Sequence, residues 1–441
     1  MKLRSVLLSL LAIGAIGGAA ALFYAWEMPI PPIDPRAVDT LDPVAVRRGA
    51  ELALLGDCDT CHTAPGGVPY AGGLAMPTPF GTIYSTNITP DPDTGIGKWS
   101  EEAFTRALRS GVDREGRHLY PAFPYDHFTR VTDDDAKALY VFFMSLNPVK
   151  ATAPANGLPF PLNVRLTLAG WKLLFLRQER FVPDPSKDDV WNRGKYLVDG
   201  LGHCGACHSP RNFMGAEKES ASFQGGEAEG WHAYAFGRYS EAPIAWTAEA
   251  LEQYLAEGFH ADHGVARGPM APVVDNLSRV SRADAAAMAI YLASLTPPSA
   301  ALDPRSKDKQ ANPASLPQSA GSQAATPSVP NVPGAQLYAS ACASCHESGR
   351  ALPLGGVQLS LSTAVAGESP ENLLNLIMSG IPAAKGAPGP VMPGFASVMS
   401  DDQVVALARH LRVDIAGRPD WPDLEQAVRR IRAAKIVTNA K

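Results

Sequence analysis

The sequence predicts an all-α protein made of three helical units in tandem, and three observations support this prediction. The chain has 441 residues, and the pentapeptide CxxCH occurs three times in it. A short helical pattern leads into each copy, and a helix with an apolar face closes each unit. A pattern that recurs along a chain indicates repeated structural units, each folded around the same feature.

The helices that frame each unit are predicted from their end residues and their apolar pattern. The opening segments are AVRRGAELALLGDCDTCH, WNRGKYLVDGLGHCGACH and GAQLYASACASCH, and the closing segments are TDDDAKALYVFFMSL, SRADAAAMAIYLASL and SDDQVVALARHLRV. The predicted N-cap residues, each followed three positions later by a capping-box partner, are Thr132 with Asp135, Ser281 with Asp284, and Ser400 with Gln403.

The three CxxCH copies contain all six cysteines of the chain. Two thiols at this spacing are able to bond to the two vinyl groups of a haem, and the histidine that follows is placed to coordinate the iron. The motifs therefore predict three covalently bound haem c groups. The residues in these roles are Cys58, Cys61 and His62, then Cys204, Cys207 and His208, then Cys342, Cys345 and His346.

Other uses of a CxxC pair fit this chain less well. A zinc site needs four ligands, commonly two CxxC pairs about 15 to 20 residues apart, whereas these copies lie more than 130 residues apart, with first cysteines at positions 58, 204 and 342. A redox-active dithiol or a plain disulfide gives no reason for a histidine after every pair. Haem attachment is the interpretation that explains all three copies.

The N-terminal residues 1–27 are predicted to be a signal peptide or a transmembrane anchor. Lys2 and Arg4 precede a run without charges at residues 6–26. That run is longer than the apolar region of a usual signal peptide, about 7 to 15 residues, and close to the roughly 20 residues that cross a bilayer. The anchor is favoured for this reason, and both alternatives export the haem domains.

The remaining chain is predicted to form several small domains. The predicted boundaries are 36–150 for the first haem domain, 151–187 for a connection, 188–298 for the second haem domain, 299–333 for a linker rich in Pro, Ser and Ala, 334–420 for the third haem domain and 421–441 for a basic C-terminal helix. The connection contains an apolar stretch at 171–176 that either packs on a neighbouring domain or contacts a membrane or partner. The net charge of −5 gives no indication of a nucleic-acid partner, and none is expected.

A second alignment predicts the ligands on the opposite side of the haems. In each unit a helix that starts with an acid ends at a glycine, and twelve residues later stand Phe123, Met270 and Met392, counted from Gly111, Gly258 and Gly380. Both methionines lie in loops that contain proline, GPMAPVV and VMPGF. We therefore predict that Met270 and Met392 are the sixth ligands of haems two and three, although single methionines often only fill a core.

Phe123 departs from this pattern, because a phenyl ring cannot coordinate iron. Haem one is then five-coordinate, binds water, or takes a histidine from the same region. His127 is the first candidate, because it follows Phe123 in the same loop, and His118 is the second. The alternative role of either histidine is that of a surface group or of a hydrogen-bond donor to a haem propionate. Histidine ligation lowers the potential of haem one below that of its neighbours.

The layout of each unit resembles class I cytochrome c, which implies an all-α fold of three such domains in tandem after the N-terminal anchor or signal segment. The blocks TPFGTIYSTNITPDPDTGIGKWS, LYPAFPY, YLVDGLGHCGACHSPRN, GPMAPVV and MPGF resemble the triple-haem cytochrome c subunits of membrane-bound bacterial dehydrogenases for alcohols, gluconate and sorbitol. That family usually has LYPAMPY, so Phe123 is a departure. LYPAFPYDHFTR is more similar to the cytochrome partners of molybdenum hydroxylases that oxidise aldehydes or N-heterocycles such as nicotinate.

The resemblance implies electron transfer from a periplasmic dehydrogenase through three haems to ubiquinone or a terminal oxidase. The chain then works at the periplasmic side of the bacterial inner membrane. A molybdopterin partner is favoured, and a flavin or quinoprotein partner is possible. The chain has no dinucleotide or phosphate-binding motif of its own, so it is expected to be an oxidoreductase subunit without catalytic residues for substrate oxidation. Two alternatives stay open: a peroxidase-like enzyme with an open haem one, and a free soluble shuttle.

Overall fold

The structure, a computed structural model, describes residues 16–18, 22–34, 41–296, 333–383 and 389–439, the last five of these without side chains. Most of the predicted linker at 299–333 and most of the N-terminal apolar run lie outside these residues. Within the described ranges, every helix is too short or too polar to cross a membrane.

The described residues form two compact units. The first comprises Met1–Asp189, Lys195–Cys204 and Phe213–Ala216, and the second comprises Val190–Gly194, Gly205–Asn212 and Glu217–Lys441. Most of the second predicted haem domain and the described part of the third therefore belong to one compact unit, while Lys195–Cys204 and Phe213–Ala216 belong to the other. The division of the chain into three haem domains stays a prediction.

The first unit contains short helices and one antiparallel hairpin. Its helices are α1 Pro43–Leu55, α2 Cys58–His62, α3 Glu101–Ser110, α4 Tyr125–Phe128, α5 Asp133–Ser145 and α6 Leu168–Phe175, with a 3-10 turn at Arg165–Thr167. Strands β1 Ala75–Thr78 and β2 Gly81–Tyr84 form the hairpin. Helix α7 Asp189–Tyr196 and a π-helical turn at Leu197–Leu201 lead into the second CxxCH.

The second unit contains two hairpins and a larger set of helices. The helices are α8 Gly205–His208, α9 Ala248–Glu257, α10 Met270–Leu277, α11 Arg282–Ser294, α12 Gly334–Ala341, α13 Ala343–His346, α14 Thr363–Ala366, α15 Glu371–Ser379, α16 Asp401–His410 and α17 Leu424–Asn439. Short turns lie at Glu219–Ala221, Gly237–Tyr239, Leu359–Leu361 and Leu411–Ile415. The hairpins pair β3 Gly226–Ala228 with β4 Trp231–Ala233, and β5 Phe259–His260 with β6 Gly264–Val265. These hairpins depart from a purely helical fold.

An opening helix and a closing helix cross at a glycine three times along the chain. A Cβ atom added to the glycine would lie within about 2 Å of a backbone carbonyl oxygen in each pair: Gly49 to Ala138, 2.0 Å; Gly194 to Ala287, 2.0 Å; and Gly334 to Ala406, 2.1 Å. No other residue fits there without moving one helix away from the other. The same close crossing thus recurs near each CxxCH, which agrees with the repeat seen in the sequence.

Only one of the three predicted capping boxes forms. Ser400 accepts from the backbone N–H of Gln403, and the Gln403 side chain accepts from the N–H of Ser400. The other two predicted partners bind arginines of the opening helices: Asp135 binds Arg48 at 3.1 Å, and Asp284 binds Arg193 at 2.8 Å. The prediction is wrong for these two aspartates, because a carboxylate binds a guanidinium more strongly than a backbone amide.

The C-terminal helix α17 is part of a hydrophobic core and does more than present a basic face to solvent. Leu424, Ala427 and Val428 are buried in a cluster with side chains of α15 and α16. Arg432 donates hydrogen bonds to the carbonyl oxygen of Met399 at 2.8 Å and to the carboxylate of Asp401. The segment predicted at 421–441 therefore packs on the core of the third predicted domain.

Candidate haem-binding sites

Each CxxCH motif forms a single helical turn. The first motif is helix α2 itself, and in the other two the turn follows the first cysteine directly, as α8 and α13. In the first motif both cysteines lie within the turn, and residues three apart on a helix lie on the same side of it, so Cys58 and Cys61 face one way. Asp57, which precedes Cys58, has a φ of 52° and takes a left-handed conformation at the start of this turn. His203 takes a φ of 40° before Cys204.

All three motif histidines bind a backbone carbonyl oxygen through Nδ1. The distances are 2.7 Å from His62 to Thr86, 2.7 Å from His208 to Tyr234 and 2.9 Å from His346 to Val357. Because a carbonyl oxygen only accepts, Nδ1 carries the proton and Nε2 presents its lone pair, the tautomer that binds a metal. Burial lowers the pKa of His62 and His208, which keeps both imidazoles neutral.

Three buried polar atoms in the second predicted haem domain are suited to a prosthetic group. The hydroxyl of Tyr234, Nδ1 of His263 and Nε of Arg267 have no hydrogen-bond partner within the described part of the chain. Such atoms are rare in folded proteins. Tyr234 supplies the carbonyl that holds His208, and Arg267 lies three residues before Met270. Donors in these places suit the propionate groups of a haem, so the residues present fit haem c.

Phe123 and Met270 occupy equivalent backbone positions in the two units. Helices α3 and α9 each end at a glycine in the left-handed conformation, and the glycine carbonyl accepts from the residue eight positions later: Gly111 from Leu119 at 2.7 Å, and Gly258 from Ala266 at 2.8 Å. Phe123 and Met270 each follow that bond by four residues. The alignment made from the sequence therefore has a counterpart in the backbone.

The remaining candidate on this side, Met392, lies beside the glycine that ends helix α15. Its backbone N–H and carbonyl both bond to Ile381, at 2.9 and 2.8 Å. Ile381 follows Gly380 directly, so the loop of Met392 is held at the end of this helix. Met270 and Met392 are both partly buried, and their iron ligation stays a prediction.

In the first unit a phenyl ring, that of Phe123, stands at the backbone position that corresponds to Met270. Phe123 packs against Phe128 with ring centres 5.3 Å apart and against Tyr125 at 6.5 Å. His127, the first candidate for a replacement ligand, is buried in α4, and its Nδ1 lies 2.8 Å from the carbonyl oxygen of Asp199. Nδ1 of His127 is therefore held by a backbone carbonyl, and iron ligation by His127 stays a prediction.

His118, the second candidate, is held by both of its ring nitrogens. Nε2 lies 2.9 Å from the carbonyl oxygen of Ala25, and Nδ1 lies 2.9 Å from Nζ of Lys172. Iron ligation would require one of these bonds to break. His127 as the first candidate and His118 as the second both stay predictions.

Lys172 is a buried cation that the sequence analysis missed. Its Nζ donates to the carbonyl oxygen of Gly111 at 2.6 Å and lies 5.0 Å from the centre of the Tyr125 ring. Burial lowers the pKa of Lys172 to about 7. In the sequence this lysine stands within an apolar stretch, where a charged head usually reaches solvent, and no local pattern marks it as buried.

The same helix, α6, has a buried side and an exposed apolar side. Trp171 is buried and donates from Nε1 to the carbonyl oxygen of Met214 at 3.1 Å. Leu173 and Leu174 are 66% and 65% exposed. Residues 171–176 were expected either to pack on a neighbouring domain or to contact a membrane or partner. The buried side of this helix packs, and its exposed apolar side is open to such a contact.

The helical framework and the three CxxCH turns define a c-type cytochrome. Residues 331–411 match the family model described as cytochrome C oxidase, cbb3-type, subunit III. The chain is 44% identical over 425 residues to a nicotinate dehydrogenase subunit of Pseudomonas putida, covering 95% of this chain and 34% of that protein. It is 38% identical over 401 residues to the gluconate 2-dehydrogenase cytochrome c subunit of Pantoea cypripedii, covering 85% and 87%.

A third relative is the fructose dehydrogenase cytochrome subunit of Gluconobacter japonicus, 35% identical over 404 residues, with 88% of this chain and 83% of that protein covered. The chain belongs to the family of cytochrome c subunits of dehydrogenases. It carries covalently bound haem c and transfers electrons as a subunit of a dehydrogenase complex. The family resemblance predicted from the sequence is confirmed, and the chain spans about a third of the nicotinate relative.

Proposed function

We propose that the chain binds three haem c groups in three tandem cytochrome c domains. The cysteine pairs hold the porphyrins, and His62, His208 and His346 bind the irons through Nε2. The observation that carries this proposal is the bond from Nδ1 of each histidine to a backbone carbonyl, because it prepares three imidazoles in the same way. The repeated glycine crossing of opening and closing helices gives further support.

The sixth ligands that we propose are His127 for haem one, Met270 for haem two and Met392 for haem three. Equivalent backbone bonds before Phe123 and Met270 support the alignment of the first two units. The thioether of methionine favours ferrous iron, and imidazole favours ferric iron. Haem one should therefore have the lowest potential, and it would be the place where electrons enter the chain.

Intact mass measurement of the exported protein tests the number of haems. We expect the mass of the polypeptide plus three haems, and one haem fewer after each double substitution C58A/C61A, C204A/C207A or C342A/C345A. The matched control is His410→Gln, which changes a histidine outside the motifs that binds Asp414 and leaves three haems in place. Two haems in the unsubstituted protein would overturn the proposal.

We propose a molybdopterin dehydrogenase as the partner. The similarity to the nicotinate dehydrogenase subunit and the LYPAFPYDHFTR sequence support this choice over a flavin or quinoprotein partner. Affinity purification of the chain from its native membranes, followed by protein identification and metal analysis, tests it. Molybdenum that co-purifies in a fixed ratio to haem is the expected result. A co-purified flavoprotein or quinoprotein without molybdenum would refute it.

We propose that the complex works at the periplasmic face of the inner membrane and passes electrons to ubiquinone or a terminal oxidase. The charge-free run at residues 6–26 and the exposed side chains of Phe23, Trp26, Leu173 and Leu174 support contact with a bilayer. A chain that starts at residue 28 behind a cleavable signal peptide should lose most of its membrane association. If it stays with the membrane fraction as fully as the whole chain, the N-terminal segment is not the anchor.

A further inference from the structure

In the second compact unit, helix α15 lies against strand β4. The side chain of Asn372 binds both polar groups of the His232 backbone: Oδ1 accepts from the N–H at 2.9 Å, and Nδ2 donates to the carbonyl at 2.8 Å. This pair of bonds satisfies the strand edge in the way that a neighbouring strand would. Asn372 is 7% exposed, so the contact is closed to solvent.

Two more hydrogen bonds join the same parts of the chain. Nδ2 of Asn375 donates to the carbonyl oxygen of Gly230 at 3.0 Å, and a terminal nitrogen of Arg267 donates to the carbonyl oxygen of Pro382 at 3.3 Å. Asn375 and Pro382 belong to the third predicted haem domain, and Gly230 and Arg267 belong to the second. A specific polar contact therefore connects the two predicted domains, independently of the segment between them in sequence.

The hairpin of β3 and β4 touches both sides of the predicted site of haem two. Tyr234, the residue after β4, supplies the carbonyl that holds Nδ1 of His208 at 2.7 Å. The ring of Trp231 lies so close to Gly268 that a Cβ atom added there would be 2.4 Å from it. Gly268 precedes Met270 by two residues. The strand bound by Asn372 is thus in contact with the segments of both predicted axial ligands.

Helix α15 leads in turn to the predicted ligand of haem three. It ends at Gly380, where an added Cβ atom would lie 2.3 Å from the carbonyl oxygen of Met392. Pro382, which accepts the bond from Arg267, follows one residue after Ile381, the backbone partner of Met392. The two loops with the predicted methionine ligands are therefore linked by a direct hydrogen bond.

The first unit has an equivalent strand edge with a different occupant. Tyr84 precedes Thr86, the carbonyl partner of His62, by two residues, as His232 precedes Tyr234. The N–H of Tyr84 donates to Oδ1 of Asn156 at 2.9 Å. Asn156 belongs to the connection at 151–187, so in the first unit this edge is covered by adjoining chain. In the second unit helix α15 of the third predicted domain covers this edge.

We propose that the contact between α15 and the hairpin of β3 and β4 is the docking surface that allows electron transfer between haems two and three, with Asn372 as its main positioning residue. This inference rests on the proposed function, because it requires haem at the second and third motifs. One electron moves in the step, so the ferrous iron of the donor haem becomes ferric and the ferric iron of the acceptor becomes ferrous. No covalent bond changes.

The test uses the full haem-containing chain with a specific protease site placed within residues 297–332. The docking variant is N372L/N375L, which keeps the number and branching of the side-chain heavy atoms but removes all three asparagine hydrogen bonds. The control is N156L, the same change at the equivalent edge of the first unit. Gel filtration after cleavage measures whether the C-terminal fragment stays bound, and photoinduced electron injection measures the rate of exchange between haems two and three.

We expect the fragments of the parent protein and of N156L to elute together after cleavage. In N372L/N375L the docking equilibrium constant should fall at least about tenfold, as expected when buried backbone groups lose their partners. Electron exchange should slow while the haem content and both midpoint potentials stay unchanged. Fragments that separate in the parent protein, or a variant with an undiminished exchange rate, would overturn the docking proposal.

Different measurements would contradict the proposed function and the docking proposal. If the mature protein lacks haem at the second or third motif, the proposed function fails, and intact mass shows this before any kinetic measurement. If all three haems are present but the asparagine variant exchanges electrons between haems two and three as fast as the parent protein, only the docking proposal fails. Absorbance spectra of each variant confirm that the haems stay low-spin, so that loss of folding is recognised separately.

Discussion

Nδ1 of His118 lies 2.9 Å from Nζ of Lys172, and both side chains are buried. The carbonyl oxygens of Ala25 and Gly111 complete the network. This arrangement ties the segment that follows the N-terminal apolar run, through His118, to helix α6. Burial lowers the pKa of both groups, that of Lys172 to about 7, so the stability of the first unit should depend on pH.

Replacement of Lys172 by methionine should reduce the change in the stability of the first unit with pH. Between about pH 7 and the ordinary lysine value of 10.5 the unfolded chain binds more protons than the folded one, so stability rises with pH across this window. The ordinary pKa of histidine is 6.5, and burial lowers the pKa of His118. As the pH falls below 6.5, the unfolded chain therefore binds a proton more readily at His118 than the folded chain does, and stability falls further. Denaturant unfolding at several pH values measures the effect, with the exposed Lys137→Met as control. Parallel pH profiles for K172M and the parent protein would contradict the expectation.

Removal of the His127 side chain should open haem one. If Nε2 of His127 binds the iron, the parent protein in its reduced state does not bind carbon monoxide at haem one, and H127A binds one equivalent. The control is His118→Gln, which disturbs a neighbouring buried histidine that we do not expect to ligate. A Soret shift measures the binding. Carbon monoxide binding by one haem of the parent protein would instead indicate an open site.

Restoration of a thioether in the first unit should raise the potential of haem one. Phe123→Met places methionine at the backbone position equivalent to Met270, and methionine favours ferrous iron relative to imidazole. We expect the double variant F123M/H127A to stay low-spin and to exclude carbon monoxide, in contrast to H127A alone. Redox titration with optical detection measures the shift. If F123M/H127A binds carbon monoxide as H127A does, position 123 does not face the iron.

Leucine at Met270 or at Met392 should remove one axial ligand each. The change nearly conserves volume and costs less than about 1.5 kcal/mol of stability at a core site. We expect one haem to become high-spin, with a lower potential, in each variant. The control is Met288→Leu, which alters a buried methionine of helix α11 and should leave all spectra unchanged. A low-spin spectrum in M270L would mean that another side chain binds haem two.

Alanine at Gly49 and at Gly170 should shift stability in opposite directions. An added Cβ atom at Gly49 would lie 2.0 Å from the Ala138 carbonyl oxygen, so G49A forces α1 and α5 apart at a cost of about 1 to 3 kcal/mol. At Gly170, on the exposed side of α6, an added Cβ atom has nothing within 4 Å, so G170A stabilises by about 0.5 to 1 kcal/mol. Denaturant unfolding measures both. Equal effects of the two changes would contradict the close helix crossing.

The amino-acid sequence alone was sufficient to predict a cytochrome c subunit of a dehydrogenase, and the relatives confirm this family. CxxCH places two thiols and an imidazole within one helical turn, so local spacing is enough to predict covalent haem and its proximal ligand. The equal spacing from Gly111 to Phe123 and from Gly258 to Met270 could also be recognised in the sequence. The backbone that follows the two glycines makes the same hydrogen bond in both units.

Tertiary folding decided which groups hold those ligands and how distant segments meet. Thr86, Tyr234 and Val357 hold the motif histidines through carbonyl oxygens, which every residue type has, so no sequence pattern marks these three positions. Lys172 stands in an apolar stretch, and its burial depends on a network formed by three other segments. The carboxylate of Asp135 binds Arg48 rather than its own helix end. Asn372 reaches a strand 140 residues away. Such contacts are set by packing between segments far apart in the chain, and local sequence does not encode them.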